Sequence, residues 1–187
     1  MDWSPYALDA VAAGAIVGAL ALVMFAAAWH KLSQVEVFAG ALSAYGLLPQ
    51  ASIRPMVRVL PAIEAALGVG LLVPATRAPA LLALGGLLLV YAAAMGINLA
   101  RGRQDIDCGC GAGSHPLSWG LVARNGVLAG AALAASSPAP ERPMDPTDGL
   151  TLVLGVLSLY ALYLLSDELL RQASRLARLD RREGGQG

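Results

Sequence analysis

Five stretches of this chain are too apolar, over too great a length, for the surface of a water-soluble domain. They cover residues 8–29, 58–75, 79–100, 117–135 and 149–166. A helix needs about 20 apolar residues to cross the ~30 Å hydrocarbon core of a bilayer. Lipid offers an unpaired backbone N–H or C=O no partner, so such stretches must satisfy themselves as helices. Charged residues make up 14% of the chain, against roughly 25% in a typical soluble domain, and most fall between the blocks. The fold class expected is all-α: a polytopic membrane helical bundle with a four-helix core, a fifth span and an amphipathic C-terminal helix.

The expected organisation is a four-helix membrane domain over residues 1–136, a proline-rich linker over 137–148, and a fifth span with a basic tail over 149–187. The linker holds four prolines within "SSPAPERPMDPTDG" and cannot continue a helix. The first span is preceded by Asp2 and Asp9 and by no Lys or Arg. It therefore lacks the basic flank of a cleaved signal peptide and is expected to be retained. Net charge is zero, which gives nucleic acid no electrostatic footprint; membrane lipids are the expected surroundings. Lys31 is the only lysine, and the bias to Arg, Ala and Gly points to a GC-rich bacterial source. The expected location is then the inner (plasma) membrane of a bacterium.

Between the first two spans, Val35, Phe38, Leu42 and Tyr45 recur at helical spacing, as in a short helix lying at the interface or packed on the bundle. Gly14, Gly18, Gly68, Gly85 and Gly86 are expected at close helix crossings. In the tail, Arg171, Arg175, Arg178 and Arg182 form one helical stripe and Leu169, Ala173 and Leu176 another. That pattern fits a basic amphipathic helix on an anionic leaflet, begun by Asp167 and Glu168.

Parity sorts the polar residues. The end of span one, the start of span two, the end of span three and the start of span four all share one membrane face. His30, Lys31, Glu64, Asn98, Arg101, Arg103, Cys108, Cys110, His115, Arg124 and Asn125 crowd toward it. With the N-terminus outside, this face also collects Arg54, Arg58 and the tail arginines, against Arg77 and Arg142 opposite. The positive-inside rule then makes it cytoplasmic. Disulfides persist outside the cytosol, so the cysteines pull the other way.

Ionisable groups inside a span are costly and usually face a partner within the bundle. Counted from the same face at about 1.5 Å per residue, Glu64 and Arg124 both lie roughly 9–10 Å deep. Equal depth and opposite sign predict that they pair, as a structural clamp or as a device tuning the thiols. Asn125, Asn98 and Tyr91 are expected in structural hydrogen bonds.

Both cysteines lie in "DIDCGCGAGSH", a polar glycine-rich loop. Cys108 and Cys110 can close only a small, strained ring, which favours exchange over permanence. Gly109 between them suits the backbone angles such a closure needs. Arg101 and Arg103 favour a thiolate here, while Asp105 and Asp107 oppose it. A second reading is a soft-metal site built on Cys108, Cys110 and His115, with Asp107 beside them. A third is structural, with no chemistry at the thiols. No cofactor is indicated with certainty.

The order of features resembles the methylamine utilisation protein MauE family, which is related to DoxX-like membrane proteins. The matching pieces are "HKL", "YGLLP", "LPAIEAALGVGLL", "RGRQDIDCGCG" and "LVARNGVLAG", together covering about residues 20–133. The resemblance singles out Cys108 and Cys110, with Lys31, Glu64, Arg124 and Asn125 as further motif residues. It implies a thiol–disulfide redox factor that assists maturation of the disulfide-rich small subunit of methylamine dehydrogenase. A thioredoxin-like partner (MauD-like) and a secreted client come with that reading. Where the family usually has Phe after the second cysteine, this chain has Gly111. The alternative is a DoxX-like membrane component that binds or transports a metal or small molecule.

Overall fold

The structure, a computed structural model, describes residues 8–103, 106–109, 116–137 and 145–184. Cys110, His115 and the proline linker before Asp145 lie outside the described residues, as do the side chains of Arg175, Arg178 and Arg182. Among the described residues six α-helices follow in order: α1 (Ala10–Ser33), α2 (Val35–Tyr45), α3 (Gln50–Leu72), α4 (Arg77–Ala100), α5 (Trp119–Ala135) and α6 (Pro146–Gly184). A 3-10 turn, Pro74–Thr76, joins α3 to α4. Among the described residues there is no strand, only an isolated antiparallel bridge between Asp107 and Pro116.

By length and composition, α1, α3, the Pro74–Ala100 segment and the Pro146–Ser174 part of α6 can each cross a membrane. α5, at 17 residues, stands at the lower limit of about 17–25 residues for a span. The protein is thus an all-α, polytopic membrane protein. Its exposed large side chains fit that setting, with Val69, Leu72, Leu82, Leu89, Val90 and Val127 all turned outward. Trp29, near the end of α1, and Trp119, opening α5, are 75% and 61% exposed. They occupy one end of the bundle, where amphipathic indoles anchor at the interface.

The main core lies between α1, α3, α4 and α5, where Val17, Leu20, Met24, Leu71, Leu81, Leu84 and Leu88 pack with the alanines of α5. α6 runs parallel to α1 and closes on it through small residues. A Cβ on Gly14 would come within 2.9 Å of Leu152, and one on Gly18 within 2.6 Å of Val156. Gly155 returns the arrangement, its Cβ position 3.0 Å from Ala15. Gly14 and Gly18 are one G-x-x-x-G step, the spacing that lets two helix backbones approach closely in lipid. Gly68 does the same for the ring of Phe25 at 2.9 Å. Gly85 is buried against α5, its Cβ position 3.6 Å from Leu133 and 3.8 Å from the Ala129 carbonyl, whereas Gly86 meets nothing within 4 Å and is not at a crossing.

Two expectations change at the helix ends. The second span begins at Gln50, well before 58, because Arg54 and Arg58 remain on the exposed side of α3. Pro61 is accommodated within α3, on its buried face one turn before Glu64. The fifth span and the tail are one 39-residue helix with no break at Asp167. The tail therefore continues the span along its own axis, and Asp167 does not begin a separate helix.

Candidate functional site

The interior face of α3 is read directly from its spacing. Ile53, Val57, Pro61, Glu64, Gly68 and Leu71 recur every three or four residues and are buried. That stripe carries Glu64 to complete burial, at 0% exposure. α1 runs past His30, and the last turn brings Lys31 inward at 4% exposure. Lys31 Nζ lies 2.6 Å from Glu64 Oε1. Tyr91 of α4 donates its hydroxyl to the same oxygen at 3.0 Å. The ammonium also stands 5.5 Å from the ring centroids of both Phe38 and Tyr91. A desolvated lysine thus has a carboxylate and two aromatic faces, the compensation a buried cation requires. Glu64 Oε2 has no hydrogen-bond partner among the described residues.

Glu64 does not pair with Arg124. Counted from Gln50, Glu64 lies roughly 20 Å along its helix and Arg124 roughly 8 Å along α5, at about 1.5 Å per residue. The helices also lie on different main neighbours: α3 packs chiefly against α1, whereas α5 packs chiefly against α4. Arg124 instead forms an ion pair with Asp167 of α6 and stands 5.3 Å from the Tyr163 ring centroid. Asn125 is buried and donates to the Leu121 carbonyl of its own helix at 2.9 Å. Asn98 likewise donates to Ala94 O at 3.1 Å. Both side-chain amides thus donate within their own helices and not across the bundle.

The cysteine loop is fixed at both ends. Arg103 donates to Asn98 Oδ1 at 3.3 Å and to the Tyr45 carbonyl at 3.4 Å. Leu117 N–H donates to Ile106 O at 3.1 Å, beside the Asp107–Pro116 bridge. Between these ties Cys108 is 7% exposed, packed with Tyr45, Met95, Leu99, Leu117 and Leu121. Tyr45 donates its hydroxyl to the Cys108 carbonyl at 3.2 Å. Gly109 has φ +66°, and a Cβ there would come 3.2 Å from Ala41 Cβ. The left-handed backbone and the close approach both require glycine between the cysteines. Asp107 Oδ1 accepts from Gly109 N–H at 2.9 Å, closing the turn.

These two parts share one space. A cavity of about 330 Å³ is walled by Lys31, Phe38, Tyr45, Tyr91, Cys108 and Gly109, with apolar residues of α2, α3 and α4 completing it. Of the residues marked in the sequence, the cavity gathers Lys31 and Cys108, and Glu64 stands behind Lys31. Arg124 belongs to the separate α5–α6 contact, and Asn125 bonds within its own helix. Among the described residues, no three of His, Cys, Asp and Glu gather where a metal could sit; Cys110 and His115 lie outside them. Sequence reasoning missed Tyr91 as the second partner of Glu64 and Asp167 as the partner of Arg124. Tyr91 and Asn98, seven residues apart on one face of α4, were the available signal for the first.

The family described as "Methylamine utilisation protein MauE" matches residues 9–137, which run from the cap of α1 to the end of α5. The "Methylamine utilization protein MauE" of Paracoccus denitrificans is 44% identical over 148 residues, 78% of this chain and 80% of that protein. The protein of the same name from Paracoccus versutus is 39% identical over 77% of this chain and 79% of its own length. That from Methylorubrum extorquens is 39% identical over 70% and 69%. No solved structure matches. With the matched region holding the buried Lys31–Glu64 pair, the cysteine loop and the cavity between them, the chain belongs to the methylamine utilisation protein MauE family.

Proposed function

We propose that this protein is a bacterial inner-membrane factor of methylamine utilisation whose Cys108–Cys110 pair performs thiol–disulfide exchange. Its partner is a thioredoxin-like protein, and its role is to support maturation of a disulfide-rich client such as the small subunit of methylamine dehydrogenase. The observation that carries the reading is the turn at Asp107-Cys108-Gly109, which leads directly into Cys110 in the sequence. Its thiol is buried against Tyr45, and its glycine holds a left-handed angle that no other residue takes easily. The names of the relatives support the pathway.

Burial divides the labour between the thiols. Exchange proceeds by attack of a thiolate on a disulfide sulfur, through a mixed disulfide that a second thiol resolves. A macromolecular partner cannot reach a sulfur packed beneath α2 and α4, so Cys108 takes the resolving role and Cys110 meets the partner. Cys108→Ser should therefore trap a mixed disulfide with a thioredoxin-like protein, seen as a band lost on reduction. Cys110→Ser should give no adduct. The reverse pattern would exchange the roles. Full client maturation with both single variants, and thiols that never oxidise in membranes, would end the redox reading. A metal that co-purifies in proportion to the protein and is lost in either variant would favour the metal-binding or transport alternative.

A further inference from the structure

The cavity between Lys31 and Cys108 has an unusual wall. Lys31 is the one charged residue lining it, among the described residues, and its ammonium carries three N–H donors. Among the described residues, its hydrogen bond goes to Glu64 Oε1, which leaves donors for a bound acceptor. Glu64 also cancels the lysine's charge. The site therefore suits a neutral acceptor such as a carbonyl better than a phosphate or carboxylate. Phe38, Tyr45 and Tyr91 supply aromatic surfaces for a flat ring. Leu47, Leu48 and Val90 line the cavity while being 38%, 37% and 63% exposed, so its apolar wall continues to the outer surface of the bundle. A volume of about 330 Å³ lies in the range of small-molecule sites.

We propose that this cavity binds a membrane-soluble quinone, with the ring among Phe38, Tyr45 and Tyr91 and one carbonyl accepting from Lys31 Nζ. An acyl chain would fill apolar space but would use neither the donors nor the flat faces. Cys108 lines the same cavity and gives the quinone its reaction, a step that rests on the exchange reading above. The Cys108 and Cys110 S–H bonds break and one S–S bond forms. Two electrons and two protons pass to the quinone, whose two carbonyls become the hydroxyls of a quinol. Tyr91 is a positioning residue here, holding Glu64 and through it the ammonium.

The test uses the full-length protein in nanodiscs, without oxygen, with decylubiquinone as the probe. Binding is read by equilibrium dialysis, oxidation by maleimide gel shift of the thiols, and quinol by its ultraviolet absorbance. One quinone should bind per chain, and one quinol should appear for each two thiols lost. Ala41→Trp, which fills the cavity, should abolish binding. Tyr91→Phe should weaken it roughly tenfold, the effect of one lost hydrogen bond of ordinary strength. Cys108→Ser should reduce no quinone. Exchange with reduced thioredoxin, measured on the same samples, separates the two readings. If wild-type protein exchanges with thioredoxin but binds no quinone, or Ala41→Trp binds it as well as wild type, the cavity assignment is wrong and the exchange reading stands. If quinone binds in the cavity but thioredoxin exchange is absent, the site stands and the exchange reading falls.

Discussion

At the scale of single residues, the energetics centre on Lys31 and Glu64. Neither side chain reaches water, with exposures of 5% and 1%. Removing one partner of such a pair strands the other charge and costs about 3–5 kcal/mol. Lys31→Met should therefore sharply lower the thermal stability of the detergent-solubilised protein, and Lys31→Met with Glu64→Gln should recover much of the loss. Glu64→Gln and Arg124→Gln, by contrast, should add independently, because the two residues share no partner. Non-additivity in that second pair, read from unfolding midpoints, would contradict the separation of the two sites. Gly109→Ala should cost about 1–2 kcal/mol for the left-handed backbone alone, and the Cβ would also press on Ala41. Its readout is slower thioredoxin exchange from a loop that no longer seats Cys108. The charges inside the bundle were legible in the sequence, but their partners were not. Depth counted from 58 placed Glu64 beside Arg124, whereas the true start at Gln50 places it beside Lys31, a residue that reads as loop until α1 is seen to run on to Ser33.

At the scale of helices, α6 is attached in two ways. Gly14, Gly18 and Gly155 bring its backbone against α1, and the Arg124–Asp167 pair ties it to α5 near the other end. Gly120 tightens that second contact, lying directly beneath the Leu170 side chain. Gly18→Leu would drive a branched side chain into Val156, which a packed interface resolves only by separating. The expected result is an α6 that becomes sensitive to protease in detergent while α1–α5 stay intact, with thiol exchange preserved. Loss of the whole protein instead would mean that the bundle does not fold without α6. The small-residue spacing of α1 was visible in the sequence because G-x-x-x-G is a local pattern. Its partner was not, since Leu152 and Val156 look like any lipid-facing residues until the helices are placed side by side. The single long helix was hidden for a related reason: the change from apolar to charged at Asp167 marks the end of the membrane, not the end of the helix.

At the scale of the whole molecule, the parallel course of α1 and α6 decides which termini share a side. Leu152 lies against Gly14 near the start of α1, and Leu170 lies against Gly120 at the start of α5. The C-terminal part of α6 therefore emerges on the same face as the cysteine loop. A fifth span that stopped short would have let the tail and the loop face different compartments, and this packing removes that option. Arg54, Arg58, Arg101 and the tail helix then lie on one side, against Arg77 on the other. Lys31 drops out of the count because it is buried and paired, yet the asymmetry survives without it. The positive-inside rule weighs basic residues near span ends and gives little weight to acidic ones, so the loop and tail are expected at the cytoplasmic face. Cytosolic thiol systems keep cysteines reduced there, so under the exchange reading proposed above the oxidant for the pair is the quinone dissolved in the membrane. A client exported to the far side would then depend on electrons carried across the bilayer, not on direct contact with the loop. In intact cells, a variant whose only cysteine is Gln186→Cys should be protected from a membrane-impermeant maleimide, as should a Cys110-only variant, and both should label after lysis. Labelling of both from outside would reverse the orientation and place the exchange directly in the oxidising compartment. Labelling of only one would contradict the shared face that the α1–α6 packing requires.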